Sequence, residues 1–414
     1  KALIRHKKVR IKIFNHILAH RPKGRCQFIL NRRGTDKANS SSNLNSYSED
    51  QKWKFQTRVP ENVRFPCATE PGSPGGRSAT RPTSVHRLRP GDIDVVGAIG
   101  DSIIAGNGIL SSNILEVHME TRGLSLATGG DSNWRNYLTL SNILKEFNPN
   151  IIGYAQGNAM SFMPDSKFNV AEPMAMNRDI VFQAKLLLLR MKADKNIDFE
   201  KDWKLITILM GHNDFCSDMC YRNWKALPNE TRDNLKAALD YLHDNMPRTV
   251  VNLVPPLNVA IVRRITQPSA ACQIYWRTVC SCFFGFKSKN HEQEFADIVE
   301  KCQQAVVVNN SRYNKKDDFA VVVQPFLVNA TIPTRINDNR TDYSYLAADC
   351  FHLSQKGHAA AANSLWNNMM EPSNKKTYSL SSNVLTRFLC PTPEHPYIFT
   401  ARNSQRDASR QKTI

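Results

Sequence analysis

Ser102, Asp349 and His352 are the residues whose types and settings could together perform nucleophilic chemistry. Ser102 closes the string Gly100-Asp101-Ser102, which follows the apolar run Asp94-Val95-Val96-Gly97-Ala98-Ile99. Such a run reads as a buried strand, and the residue just past its carboxyl end in a parallel sheet faces the crevice where ligands bind. A serine hydroxyl acts as a nucleophile when a base removes its proton, a carboxylate fixes the tautomer of that base, and donors meet the developing oxyanion. The string Asp349-Cys350-Phe351-His352 supplies a carboxylate and an imidazole three positions apart, a spacing that fits one short turn. A third string, Gly211-His212-Asn213-Asp214, follows the apolar run 205–210 and offers the Asn213 side-chain amide as an oxyanion donor. His212 is expected to be a loop spacer and His358 a helix-start or packing residue, because neither has a carboxylate at an orienting spacing.

The elements that must position these groups alternate. Strands are expected at 94–100, 204–210, 248–254 and 319–324, each apolar enough to be covered on both faces as a parallel sheet requires. Helices are expected between them: one carrying Ile180, Val181, Ala184, Leu187 and Leu188, one over 231–246 that stops before Pro247, and one over 291–308. A further helix over 355–370 is expected to lay an Ala-rich face on the sheet and to support His352 from behind. The alternation predicts an α/β fold, a three-layer α/β/α sandwich around a central parallel sheet, with all the candidate residues at one sheet edge.

The order Ser, Asp, His and the strand-end Gly-Asp-Ser resemble the GDSL or SGNH hydrolases, whose fold is flavodoxin-like. Val96 to Gly108 (VGAIGDSIIAGNG), Gly129-Gly130-Asp131, Phe147-Asn148-Pro149, 321–326 (VVVQPF) and 365–369 (LWNNM) resemble the phospholipase B branch of that superfamily. The resemblance extends from about residue 65 to 404. It implies a carboxylic-ester hydrolase that releases fatty acids from phospholipid or lysophospholipid through an acyl-enzyme on Ser102, with no metal or cofactor. It also implies an oxyanion hole made by the Ser102 and Met174 backbone N–H groups together with Asn213. Met174 departs from the family pattern, in which the block Phe168-Asn169-Val170-Ala171-Glu172-Pro173-Met174-Ala175 carries glycine at that position. A side chain there could clash where glycine's freedom or a close approach is needed, which keeps open a weak or inactive lipid-binding protein of the same fold. An esterase for other small acyl esters is the third reading.

A chain of 414 residues with 41% hydrophobic content is ample for one large domain. The net charge of +18 is concentrated at the start, where residues 1–60 hold 15 Lys/Arg against 3 Asp/Glu. That segment reads as a basic, disordered extension. Val9, Ile13, Phe14, Ile17 and Leu18, however, also suit an amphipathic helix at an anionic membrane surface. Residues 405–414 read as a polar tail. No nucleic-acid motif accompanies the charge, so no nucleic-acid partner is expected. No run of about 20 apolar residues reads as a transmembrane helix and no signal peptide is visible.

Ten cysteines and the sequons at Asn39, Asn229, Asn309, Asn329 and Asn339 fit a secretory, extracellular route. Cys67 and Cys390 bracket the domain and could close a long loop. Cys216 with Cys220 and Cys272 with Cys280 are candidate local pairs, and Cys350 is either bridged or a packed thiol. Cys272, Cys280, Cys282 and His291 lack the spacing of a tight zinc module, so no metal site is assigned.

Overall fold

The computed structural model describes residues 52–308 and 311–410. The chain divides into Lys1–Asn43, outside the described residues, and Leu44–Ile414, to which everything below belongs. Four parallel strands, β1 (Val95–Gly100), β2 (Lys204–Leu209), β3 (Thr249–Val254) and β4 (Phe319–Val323), lie side by side in chain order. The register pairs Gly100 with Leu209 and Leu209 with Val254, so these strands end level with one another. All four are buried on both faces, which is why they read as continuous apolar runs rather than alternating ones.

Nine α-helices are described: α1 (Ser102–Ala105), α2 (Leu140–Phe147), α3 (Ile180–Ala193), α4 (Leu227–Asn245), α5 (Ala270–Val279), α6 (Ser281–Phe284), α7 (Glu292–Val308), α8 (Gln355–Met369) and α9 (Ala401–Arg410). Side chains alternate across a strand, so each strand feeds two cores. Val96, Leu205, Val250 and Val322 meet Ile143 and Leu144 of α2 and Ala362 and Leu365 of α8. Val95, Ile206, Val251 and Val321 meet Leu187 and Met191 of α3, Leu239 and Leu242 of α4, and Val306 of α7. The result is helix, sheet, helix, as the alternation predicts.

Helix α8 is buried on every side because a second layer covers it. The Trp366 indole donates to Leu389 O at 2.8 Å, Asn363 and Asn367 donate to Arg387 O, and Trp366 stacks between Phe147 and Phe388. The Cys67–Cys390 disulfide closes this wall across 323 positions, the bridge expected from their bracketing places.

Several sequence expectations need correcting. Residues 52–60 are not part of a disordered extension: Phe55 and Gln56 are buried, and Gln56 exchanges hydrogen bonds with Gln355, Trp134 and Leu138. Residues 405–410 continue α9 instead of forming a tail. Helix α4 begins at Leu227, four residues earlier than expected, because Pro228 sits in its first turn, where the missing N–H costs nothing. The amphipathic segment 9–18, Asn39 and Asn309 lie outside the described residues.

Candidate active site

Gly100 is the last residue of β1 and has no room for a side chain. A Cβ there would sit 2.6 Å from both Ile104 Cγ1 and Leu209 O. This close approach lets the chain turn at once into α1. Asp101 caps that helix by accepting from Ile103 N at 3.1 Å, and Ser102 is its first residue. The buried Gln183 of α3 both donates to Gly100 O and accepts from Gly100 N, each at 2.9 Å, and so fixes the strand end from the side. Sequence reasoning missed Gln183, whose signal is a polar residue on the apolar stripe of α3.

Asp349, Cys350 and His352 lie on one turn. Asp349 Oδ1 accepts from the backbone N–H groups of Phe351 and His352, both at 3.0 Å. Asp349 Oδ2 lies 2.6 Å from His352 Nδ1, and His352 Nε2 lies 2.9 Å from Ser102 Oγ. A hydroxyl, an imidazole and a fully buried carboxylate thus form one hydrogen-bonded chain from residues 250 positions apart. Burial opposes the Asp349 charge, but His352 and the two backbone donors outweigh it and hold the carboxyl below its ordinary range. Burial likewise opposes the imidazolium of His352, yet Asp349, with a smaller contribution from Asp101, raises it above the ordinary histidine value.

Asn213 follows β2 through Gly211, whose φ of +132° is open to glycine and strained for other residues. Its amide donates to Ala175 O at 2.9 Å, engaging one of its two donor positions. Ala175 adjoins Met174 on a segment that runs beside β1: Val170 N donates to Ala98 O and Glu172 N to Gly100 O. Met174 itself has φ +62°, the left-handed region that favours glycine, and the residue is 54% exposed. The backbone conformation that explains glycine in the family pattern is therefore kept here, while the side chain points out of the core. Arg122, fully buried, clamps the same segment through Asn169 O and Oδ1 and Ala171 O.

His212 is not a loop spacer. Its Nδ1 lies 2.8 Å from Asp101 Oδ2, while its Nε2 accepts from Leu257 N at 3.1 Å, so the ring donates to Asp101 through Nδ1. The carboxylate was invisible to a spacing argument because it lies 111 positions away. His358 is a packing residue as expected: its Nδ1 accepts from Leu126 N, and burial pushes it down to about 3.

The local cysteine pairs are also overturned. Cys216 bonds Cys280, Cys220 bonds Cys282, and Cys272 bonds Cys350. Three of the four cysteine and histidine residues weighed for zinc are thereby committed as disulfides. Segment 270–282 is stapled on one side to the π-helical turn Asp214–Asp218 and the turn after it, just past Asn213, and on the other to the Asp349–His352 turn. The Trp276 indole adds a 2.9 Å bond to Asp349 O. Cys350, at φ +55°, is held by these restraints.

If His352 serves as the base, its raised pKa sets the pH response. The imidazole accepts a proton only when neutral, so turnover that depends on it should fall as pH drops through its pKa, with the acid limb of kcat/KM on the high side of an ordinary histidine. Asp349→Asn removes the main support of the imidazolium, so residual activity should be lower by about 10³- to 10⁴-fold and its limb should move to lower pH. A pH–rate profile whose limb stays in place in Asp349→Asn would assign the titration to another group.

A family model described as GDSL-like Lipase/Acylhydrolase matches residues 96–365. Membrane-associated phospholipase B1 of rat is 38% identical over 360 residues, covering 85% of this chain and 24% of that protein. The mouse protein of the same name is 39% identical over 334 residues, 79% of this chain and 22% of the relative. The human one is 38% identical over 374 residues, 88% and 25%. The chain thus spans about a quarter of the length of the curated relatives it matches. With the family model covering most of the described fold, from β1 through most of α8, the chain belongs to the GDSL-like lipase/acylhydrolase family.

Proposed function

We propose that this chain is a carboxylic-ester hydrolase of phospholipase B type, releasing fatty acids from glycerophospholipids or lysophospholipids. The observation that carries the proposal is the chain Ser102 Oγ, His352 Nε2, His352 Nδ1, Asp349 Oδ2, with links of 2.9 and 2.6 Å. Ser102 Oγ attacks the ester carbonyl while His352 Nε2 takes its proton. The oxyanion is received by the backbone N–H groups of Ser102 and Met174 and by the Asn213 amide. The tetrahedral adduct then collapses, the C–O bond breaks, and His352 returns the proton to the leaving alcohol. Water, activated by the same imidazole, releases the fatty acid. Asp349 orients the ring and stabilises the imidazolium throughout.

A lipid acyl chain suits the surroundings of Ser102. Leu115, Met119, Met160, Phe162 and Met174 are exposed large apolar side chains on neighbouring segments. Gly108 N bonds Met119 O, Ala159 N bonds Glu120 O, and Ser161 bonds Glu172, so these segments join the strand-end turn. Methionine-rich exposed surface is adaptable and marks a site for apolar partners. A secretory, extracellular setting is supported by the four disulfides and by the exposed sequon residues Asn229, Asn329 and Asn339. No helix among the described residues is long and apolar enough to cross a membrane, and peripheral contact with an anionic surface is the mode proposed.

Comparing lysophospholipid with p-nitrophenyl esters of rising acyl length tests the substrate class. Turnover should rise with chain length, Met160→Ser with Phe162→Ser should flatten that rise, and Ser102→Ala should abolish turnover of both substrates. A flat profile in the parent would favour an esterase for small acyl groups. No ester turnover in the parent would favour the inactive binder.

Because the Met174 backbone is already left-handed, Met174→Gly should change kcat on a short ester far less than the roughly 10²-fold that a lost oxyanion donor costs. A rise approaching that size would show that the methionine misdirects its amide.

A further inference from the structure

At the opposite end of the sheet from Ser102, a cavity of about 550 Å³ is lined by Arg77, Arg81, Arg87, Arg89, Thr80 and Tyr397 among others, with no carboxylate in its lining. Its place is fixed by the residues that precede the strands. Arg77 bonds Gly91 O and pairs with Asp94, immediately before β1. Arg81 pairs with Asp202, two residues before β2. The Pro82 carbonyl accepts from the Trp203 indole and from Arg248. A six-residue strand spans about 20 Å, so the cavity and the Ser102 turn are separated by the thickness of the sheet along its strands.

The charges in this cavity are unevenly satisfied. Asp94 and Asp202 each answer one arginine. Asp92 is buried and already accepts from Ser78 N, Ser78 Oγ and Arg89 N. Arg89 makes one long bond, to Ser73 O at 3.3 Å, and its Nε is buried with no partner. Among the described residues, neither the exposed Arg87 guanidinium nor the Tyr397 hydroxyl has a partner. The side chains of Arg87, Arg89 and Tyr397 thus line one concave site, and apart from the Arg89 bond to Ser73 O none of their side-chain donors is answered by protein among the described residues. Guanidinium forks match the paired oxygens of phosphate and sulfate, and a cavity of this volume holds a ligand of sugar-phosphate size.

We propose that this cavity binds a phosphate or sulfate group carried by a small ligand, with Arg87, Arg89 and Tyr397 as its donors. It is a second site, independent of the ester chemistry. Because it opens at the other end of the strands from Ser102, it remains accessible while the Ser102 edge engages its substrate.

Isothermal titration of the full chain with inorganic phosphate and, separately, with a sulfated disaccharide tests the proposal. At least one should bind saturably, and Arg87→Ser should weaken it about tenfold, the effect of losing one charge-assisted hydrogen bond. Turnover of a short ester should stay at the parent level. Preference for phosphate would assign a phosphorylated ligand, and preference for the disaccharide a sulfated one. No saturable binding of either probe, or binding undiminished in both Arg87→Ser and Arg89→Ser, would overturn the proposal.

Discussion

A hydroxyl, an imidazole and a carboxylate work as a unit only when their hydrogen bonds are made simultaneously, and here the unit must be assembled from residues 250 positions apart. The parallel sheet meets half of that demand. Because β1, β2 and β3 end in register, the Ser102 and Asn213 turns emerge on one edge. The Asp349–His352 turn follows no strand directly, and it needs other restraints. It receives them from segment 270–282, through the Cys272–Cys350 bridge and the Trp276 indole, while two more disulfides tie the same segment to the chain just past Asn213. Closing a loop the length of Cys272–Cys350 removes about 4–5 kcal/mol of denatured-state entropy in the loop-closure model. Local stiffening of the turn is the part that bears on chemistry.

Asp101 is a second organising point. One carboxylate oxygen caps α1 and so orients Ser102, while the other receives the proton of His212, which is itself fixed by Leu257 N. Asp101 also contributes to the field that raises His352. Helix geometry, the β2 loop and the electrostatics of His352 are thereby joined in one buried group. Such a network makes a uniquely ordered site, and its members are fully satisfied, which low-dielectric surroundings demand.

The strands were legible because burial on both faces leaves a continuous apolar signature, and each observed strand falls within its expected range. The meeting of Ser102, Asp349 and His352 was legible because their types occur in short strings at strand or turn positions. The disulfide partners were not: separations of 62 to 78 positions are decided by how α5 and α6 fold back, not by local spacing. The pairing of His212 with Asp101 was hidden for the same reason, and so was Gln183 at Gly100. Residues 52–60 carry a basic, polar composition that reads as extension, yet Gln56 is buried because its side chain satisfies backbone groups that would otherwise be orphaned. Met174 looked like a departure in chemistry. The structure shows a departure in residue type with the expected backbone retained.

The central claim is that Ser102 is the nucleophile and His352 its base. Mapping the adduct of an alkyl fluorophosphonate by mass spectrometry tests this most directly. One adduct on Ser102 is expected, absent from Ser102→Ala and formed about 10³-fold more slowly in His352→Ala. Labelling of Ser102→Ala at the parent rate, or an adduct on any other residue, would contradict it.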